Sequence, residues 1–285
     1  MPSTIGNPFS WGARNVGAAG RGLSHAVRHA GGDDTTGLPT LKTIGWEDIR
    51  VALRLGLADF AAFRTDVMAA CLLYPVIGAC LIWFASHQGV LPLVFPLASG
   101  FALLGPVAAI GLYELSRRRE AGETPGWTDA FSVVHAPGFG AILLLGAGLV
   151  GLFVLWLLAA WILHSATMGA QTYAGAMPFL HEVLSTSGGW AMILIGIPLG
   201  FGFALVALAI SVISFPLLID RDLGLPRAVV TSVQLTRQNP VTVLTWGAVV
   251  TAGLVIGAIP MLLGLAVTLP ILGHATWHLY RRAVT

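Results

Sequence analysis

Long apolar runs broken by short polar ones make up most of this chain. Runs near the length needed to cross a hydrocarbon core, about 20 residues, fall at 67–85, 91–112, 139–163, 190–219, 241–259 and 261–278. They predict an all-α polytopic membrane protein with six transmembrane helices. The fourth run is long enough to tilt or break, and the last two are separated only around Pro260. Before the first run the pattern changes. Trp46, Ile49, Leu53, Leu57 and Phe60 recur at helical spacing, with Glu47, Arg50, Arg54 and Arg64 mostly off that stripe. A helix of this kind lies in the headgroup region or packs on the rest of the protein. Residues 1–43 are rich in small and polar residues, show no sustained hydrophobic period, and read as a flexible tail ahead of a membrane domain at 44–285. No apolar core of signal-peptide length follows the first charges.

The pattern also repeats. Gly126-Trp127-Thr128-Asp129 echoes Gly45-Trp46-Glu47-Asp48, and Gly224-Leu225-Pro226-Arg227 opens a third, weaker copy. Two runs end alike: eleven positions separate Pro106 from Arg117, and eleven separate Pro270 from Arg281. The expectation is a three-fold internal repeat of an interfacial helix followed by two spans. The alternative is that charges after every second span reflect orientation alone.

Charge sets that orientation. All 15 Lys and Arg fall in four places: seven before Val67, three at 114–138, three at 220–240 and two after Tyr280. With six spans these places share one side, and the positive-inside rule puts both termini in the cytoplasm. Twelve of the 13 acidic residues lie there too, Glu182 being the exception. Only 10% of residues are charged and 56% are hydrophobic, against about 25% charged in a soluble domain. The net charge of +2 therefore averages a mixed-charge inner face with a nearly neutral outer one, and nucleic acid is not an expected partner.

Chemistry is sparse. No phosphate-binding loop, GxSxG, HExxH or CxxC occurs, and no Asp, Glu, Lys or Arg lies in the middle of a run, where proton and ion pathways place them. His87, His164, His181 and Glu182, with Met168 and Met177, gather on the outer side without metal-site spacing. His274 and His278 are four apart, hence on one helical face. His274 lies about 10 Å further into the membrane than Arg281 at 1.5 Å per residue, and a buried imidazole there needs a partner. Alignment of Pro106 with Pro270 puts Glu114 at the depth of His278, so His274, His278, Glu114 and Tyr113 are read as one polar cluster. Arg117, Arg118 and Arg119 are candidate contacts for anionic lipid or a partner. No catalytic, cofactor or metal residue is assigned.

TIGNPFSWGAR at 4–14, FRTDVMAACLLYPVIG at 63–78, FPLASGFALLGPVAAIGLYELSRRREAG at 95–122, FPLLIDRD at 215–222 and GHATWHLYRR at 273–282 resemble the bacterial integral membrane family of domain of unknown function 2189. The resemblance implies a polytopic inner-membrane protein without an established activity. Some members carry a cytochrome c oxidase label, yet these motifs supply no binuclear set of histidines in facing spans. Two functions stand open: a non-catalytic membrane scaffold or accessory protein, associated with membrane lipids and a larger complex such as a respiratory one, or a small transporter or lipid-handling protein. Missing mid-membrane charge favours the first.

Overall fold

The computed structural model describes residues 37–285 apart from 73–74, 81–82, 84–90, 137, 170–172 and 174. The expected tail at 1–43 lies mostly outside the described residues, as do 73–74, 81–82 and 84–85 of the first expected span, whose 67–71 continue the helix from Trp46 and whose 75–80 are helical. Among the described residues the fold is all helical. It begins with α1, Trp46–Cys71. Next come three short helices, α2 (Val94–Leu103), α3 (Gly105–Ala108) and α4 (Ile110–Glu120), and a 3-10 helix at Trp127–His135. The remainder is α5 (Phe139–Met168), α6 (Ala176–Ser185), α7 (Ser187–Ser211), α8 (Ser214–Asp220), α9 (Leu225–Gln238), α10 (Pro240–Ala258) and α11 (Leu265–Ala283).

Three helices among the described residues are long and apolar enough to cross a membrane: Phe139–Met168, Ser187–Asp220 and Pro240–Ala258. They correspond to the third, fourth and fifth expected spans. α5 buries Ile142, Leu145, Leu149, Trp156 and Ala160 along one stripe, while Leu143, Val150, Val154, Leu158 and Trp161 face outward. A helix apolar on every side leaves its outer face to lipid. The second expected span, 91–112, is not one helix but α2, α3 and the start of α4, broken around Leu104 and Ala109. Pro106 explains the first break, since it has no amide to donate and sits in the opening turn of α3. The fourth span also bends, at 212–213. There Ser232 donates to the Ala209 carbonyl at 2.8 Å and Ser214 to those of Ile210 and Ala228 at 2.6 and 3.1 Å, so the interrupted backbone keeps partners. The sixth, 261–278, is displaced: α11 begins only at Leu265 and runs to Ala283.

The largest packing surface joins α1 to α11, the first described helix to the last. α1 turns Ile49, Ala52, Gly56 and Asp59 inward, with Phe63 part-buried, whereas Trp46 and Leu57 of the expected stripe face out. A Cβ on Gly56 would lie 2.6 Å from the Ala275 amide nitrogen. Small residues set this approach, and bulky ones would hold the helices apart. α1 is thus packed along the protein rather than resting beside it. The ends of the chain meet as well: Lys42 donates to the Ala283 carbonyl at 2.9 Å, and Thr285 to that of Thr40 at 3.1 Å. Asn239 fixes the segment by accepting from the Ile44 amide at 2.9 Å and donating to the Lys42 carbonyl at 3.3 Å.

α4, α8 and α11 touch one another pairwise, and each also packs on one of the three predicted interfacial elements. α4 meets the 3-10 helix at Trp127–His135, α8 meets α9, and α11 meets α1. The two GWxD motifs form the same cap. The Gly45 amide donates to Asp48 at 2.7 Å, and the Gly126 amide to Asp129 at 2.8 Å. Each capping carboxylate then takes an arginine, Arg282 for Asp48 and Arg118 for Asp129. α9 opens differently, on Gly224 at φ 73 with Pro226 in its first turn.

Candidate functional site

Described residues from all four charged segments meet, and they form three carboxylate-centred clusters. The innermost is built on Asp59 of α1, only 5% exposed. Asp59 accepts from Ser116 of α4 at 2.6 Å, from His278 Nε2 of α11 at 2.8 Å and from Arg119 of α4 at 2.7 Å. Arg119 also donates to the Ala58 carbonyl at 2.8 Å and lies over the Phe63 ring, 5.8 Å from its centroid. Burial pushes the Asp59 carboxyl up, but hydrogen bonds from His278 and Ser116 and the nearby positive charge outweigh it and hold it below the usual carboxylate range.

The ionised carboxylate dictates the direction of the remaining bonds. A carboxylate only accepts, so Ser116 spends its proton on Asp59 and receives the Nδ1 proton of His274, 2.8 Å away. His274 Nε2 is buried and makes no hydrogen bond among the described residues. The set contains Ser, His and Asp, yet it is not ordered for nucleophilic attack. That chemistry needs the histidine between serine and carboxylate, ready to take the hydroxyl proton. Here the serine is in the middle, and both Ser116 and His274 are 0% exposed, leaving no route for a substrate carbonyl.

Glu114 centres the second cluster. It receives two 2.7 Å bonds from Arg117, one of 2.7 Å from Arg118 and one of 3.1 Å from Ser132. Burial works against its charge, and the two arginines overcome that and keep its carboxyl low. Arg118 reaches on to Asp129 at 3.2 Å, binding α4 to the 3-10 helix. The third cluster gathers Asp220, Glu120, Trp277, Tyr280 and Arg281. Tyr280 donates to Asp220 at 2.6 Å, Trp277 to Glu120 at 2.9 Å, and Arg281 to Glu120 at 3.0 Å. Burial and the Asp220 bond push the Tyr280 phenol up, so it remains a donor.

These contacts redraw the expected four-residue cluster. His274 and His278 do share one network, but the carboxylate between them is Asp59, and Glu114 belongs to the neighbouring cluster. Tyr113 is buried at 2% exposure on the same helix. Arg117, Arg118 and Arg119 are each paired with a carboxylate of the chain while their side chains stay partly exposed. Asp59 and Ser116 were missed. Asp59 carries a readable signal, since Ile49, Ala52, Gly56, Asp59 and Phe63 follow 3-4-3-4 spacing and a carboxylate on an inward stripe calls for partners. Ser116 carries none. On the other side His87 lies outside the described residues and His164 is buried with its ring against Tyr173 and Phe179. Among the described residues no three metal-binding side chains converge.

If hydrogen bonding is the role of His274, His274→Gln should keep the thermal stability of the purified protein and His274→Leu should lose about 1–3 kcal/mol, the cost of leaving a buried polar partner unmatched. Thermal unfolding in detergent reads the difference, and equal midpoints for the two variants would remove the role.

Residues 94–220 match the model of the family DUF2189, described as a predicted integral membrane protein. Over that stretch the chain is similar to the DUF2189 proteins. The match agrees with the membrane character of α5 and of Ser187–Asp220. It runs from the start of α2 to Asp220, so it includes Glu114, Ser116 and the three arginines but neither α1 nor α11. No curated protein and no solved structure matches the chain. Three of the five side chains of the Asp59 cluster, namely Asp59, His274 and His278, therefore lie outside the matched segment.

Proposed function

We propose that this protein is a non-catalytic scaffold or accessory protein of the bacterial inner membrane, built from three related units and holding both ends of its described chain on the cytoplasmic side. One observation carries the reading: the polar groups that could do chemistry are spent on one another. Ser116 and His274 are sealed from solvent, and most arginines of the charged face bridge two elements, Arg118 joining α4 to the 3-10 helix, Arg119 joining α4 to α1, Arg281 joining α11 to α4 and α8, and Arg282 joining α11 to α1, while Arg117 pairs with Glu114 within α4. Such a plate fixes helix positions. The shared GWxD caps and the mutual contact of α4, α8 and α11 support the three-unit plan, with the third unit opening on a different cap. The outward apolar residues of α5 and α7, among them Val154, Trp161, Leu194 and Phe201, are available to lipid and to a larger membrane complex, a respiratory one being the class suggested by the label some relatives of this family bear.

Two experiments test the proposal. Reporters fused after residue 40, Gly122 and Thr285 should read cytoplasm and one at Gly175 periplasm; a cytoplasmic reading at Gly175 would overturn the orientation. Native mass spectrometry after mild-detergent extraction should find an assembly with a second membrane protein that is lost in Val154→Arg. A protein that runs alone and moves a solute across the wall of reconstituted liposomes would sink the scaffold reading in favour of transport.

A further inference from the structure

We infer that α10 and α11 form a re-entrant hairpin whose apolar turn ends among lipid acyl chains, short of the opposite headgroup layer. The inference is independent of the scaffold reading and begins with the turn itself. From Ala252 to Val267 there is no polar side chain, and Ile259, Met261 and Leu263 at its tip are 77%, 86% and 60% exposed. A turn in water would use Gly, Asn or Asp where the backbone is left-handed. Here Met261 and Leu262 occupy that region, at φ 52 and 67. Strain is tolerated, and polar side chains are avoided.

The backbone agrees. An irregular turn in hydrocarbon must satisfy its own amides, because no water is there to do so. Pro260 has no amide to offer. Those of Ile259, Met261, Leu262, Leu263, Leu265, Ala266, Val267 and Thr268 donate to carbonyls between Val255 and Gly264, at 2.8–3.2 Å, and Gly264 is the exception in the turn. This closure within the hairpin is what an acyl-chain environment demands.

Length gives the depth. Tyr280 is bonded to Asp220 at the end of α8, and Asn239 is bonded to Lys42, which in turn bonds Ala283. Both feet of the hairpin therefore stand on the charged face. Arg119, still 38% exposed, pairs with Asp59 at the level of His278, so hydrocarbon begins no further out than that layer. From His278 back to Met261 at the tip is 17 residues, about 26 Å even at a full helical rise of 1.5 Å per residue, against a core of about 30 Å. α5, with 30 residues, extends about 45 Å and crosses fully. By length alone α10 could cross; its pairing with α11, Gly253 against Leu272 and Gly257 against Thr268, keeps the two at the same depth.

The test uses full-length protein with Cys71 and Cys80 replaced by alanine, purified and reconstituted in phosphatidylcholine vesicles. Met261→Cys and, separately, Leu263→Cys are introduced to carry a bimane probe, with His181→Cys as the exposed reference. The expected result is loss of labelling by a membrane-impermeant maleimide at 261 and 263 from either side, with bimane quenched more by a nitroxide placed mid-chain on the lipid than by one at the headgroup. Labelling equal to that of His181→Cys, or stronger quenching from the headgroup, would show a turn that reaches the far surface and overturn the inference. Protection from the maleimide without quenching by either lipid would also overturn it, because protein, such as a second copy, then covers the tip.

Discussion

Replacing Asp59 with alanine is expected to cost about 3–5 kcal/mol, the penalty for removing one partner of a buried ion pair, and to loosen α1 from α11. Three donors lose their acceptor at once: Ser116, His278 and Arg119. Ser116 then has no acceptor to fix its proton, and His274 loses its orientation with it. Thermal unfolding in detergent measures the loss, and limited proteolysis near residues 40–60 shows whether α1 has come away. Glu47→Ala is the control on the same helix, because the Glu47–Arg50 pair is 70% and 62% exposed and an exposed pair contributes about 0–1 kcal/mol. Equal losses in the two variants would refute the central role of Asp59. The cluster also fixes an acid dependence. Folding lowers the pKa values of Asp59 and Glu114, so their contribution is complete above the ordinary carboxylate values, about 4, and disappears as pH falls through the lower folded ones. Wild type should lose stability below about pH 4, and Asp59→Ala should lose less over that window.

The second large effect is a matter of sign. Glycine in the middle of a helix costs about 0.5–1 kcal/mol relative to alanine, so Gly56→Ala stabilises a helix lying loosely on a headgroup layer. On the α1–α11 interface the added Cβ meets the Ala275 amide nitrogen at 2.6 Å and its Cβ at 2.7 Å. Backbone cannot move aside as a side chain does, so Gly56→Ala should destabilise, and Gly56→Leu should cost about 1–3 kcal/mol or more by overpacking. Leu57→Ala, at a position 53% exposed, should stay within about 0.5 kcal/mol. A Gly56→Ala protein more stable than wild type would mean that α1 does not pack as described.

Both predictions turn on a face of α1 that hydrophobic periodicity misjudged. Counting bulky apolar residues favours Trp46, Ile49, Leu53, Leu57 and Phe60, and the packed stripe is Ile49, Ala52, Gly56 and Asp59. The two differ because the closest contacts between helices in an apolar setting are made by the smallest side chains, which carry little hydrophobic signal. The polar cluster was half legible for a related reason. His274 and His278 announce themselves by depth and spacing on a single helix, but their partner sits 215 positions before His274, and no local rule links Asp59 to it. Pairing Glu114 with the histidines assumed that equivalent depth means contact. α4 instead turns Ser116 and Arg119 toward α1 and α11, and Glu114 toward its own arginines and Ser132.

What the sequence determined by itself is the membrane class, the apolar runs that become α5, the Ser187–Asp220 helix and α10, the gathering of four charged segments, and the kinship of the two GWxD caps. These follow from composition and short-range spacing, which act through solvent preference and local hydrogen bonds and need no fold to be read. Only the tertiary structure decided that α1 pairs with α11, that Asp59 rather than Glu114 joins the histidines, that the arginines close on the protein's own carboxylates, and how deep the last hairpin reaches. Each of these depends on which faces of distant helices meet. In a chain where nearly every face is apolar, hydrophobicity cannot choose among them, and small residues and a few buried polar bonds make the choice.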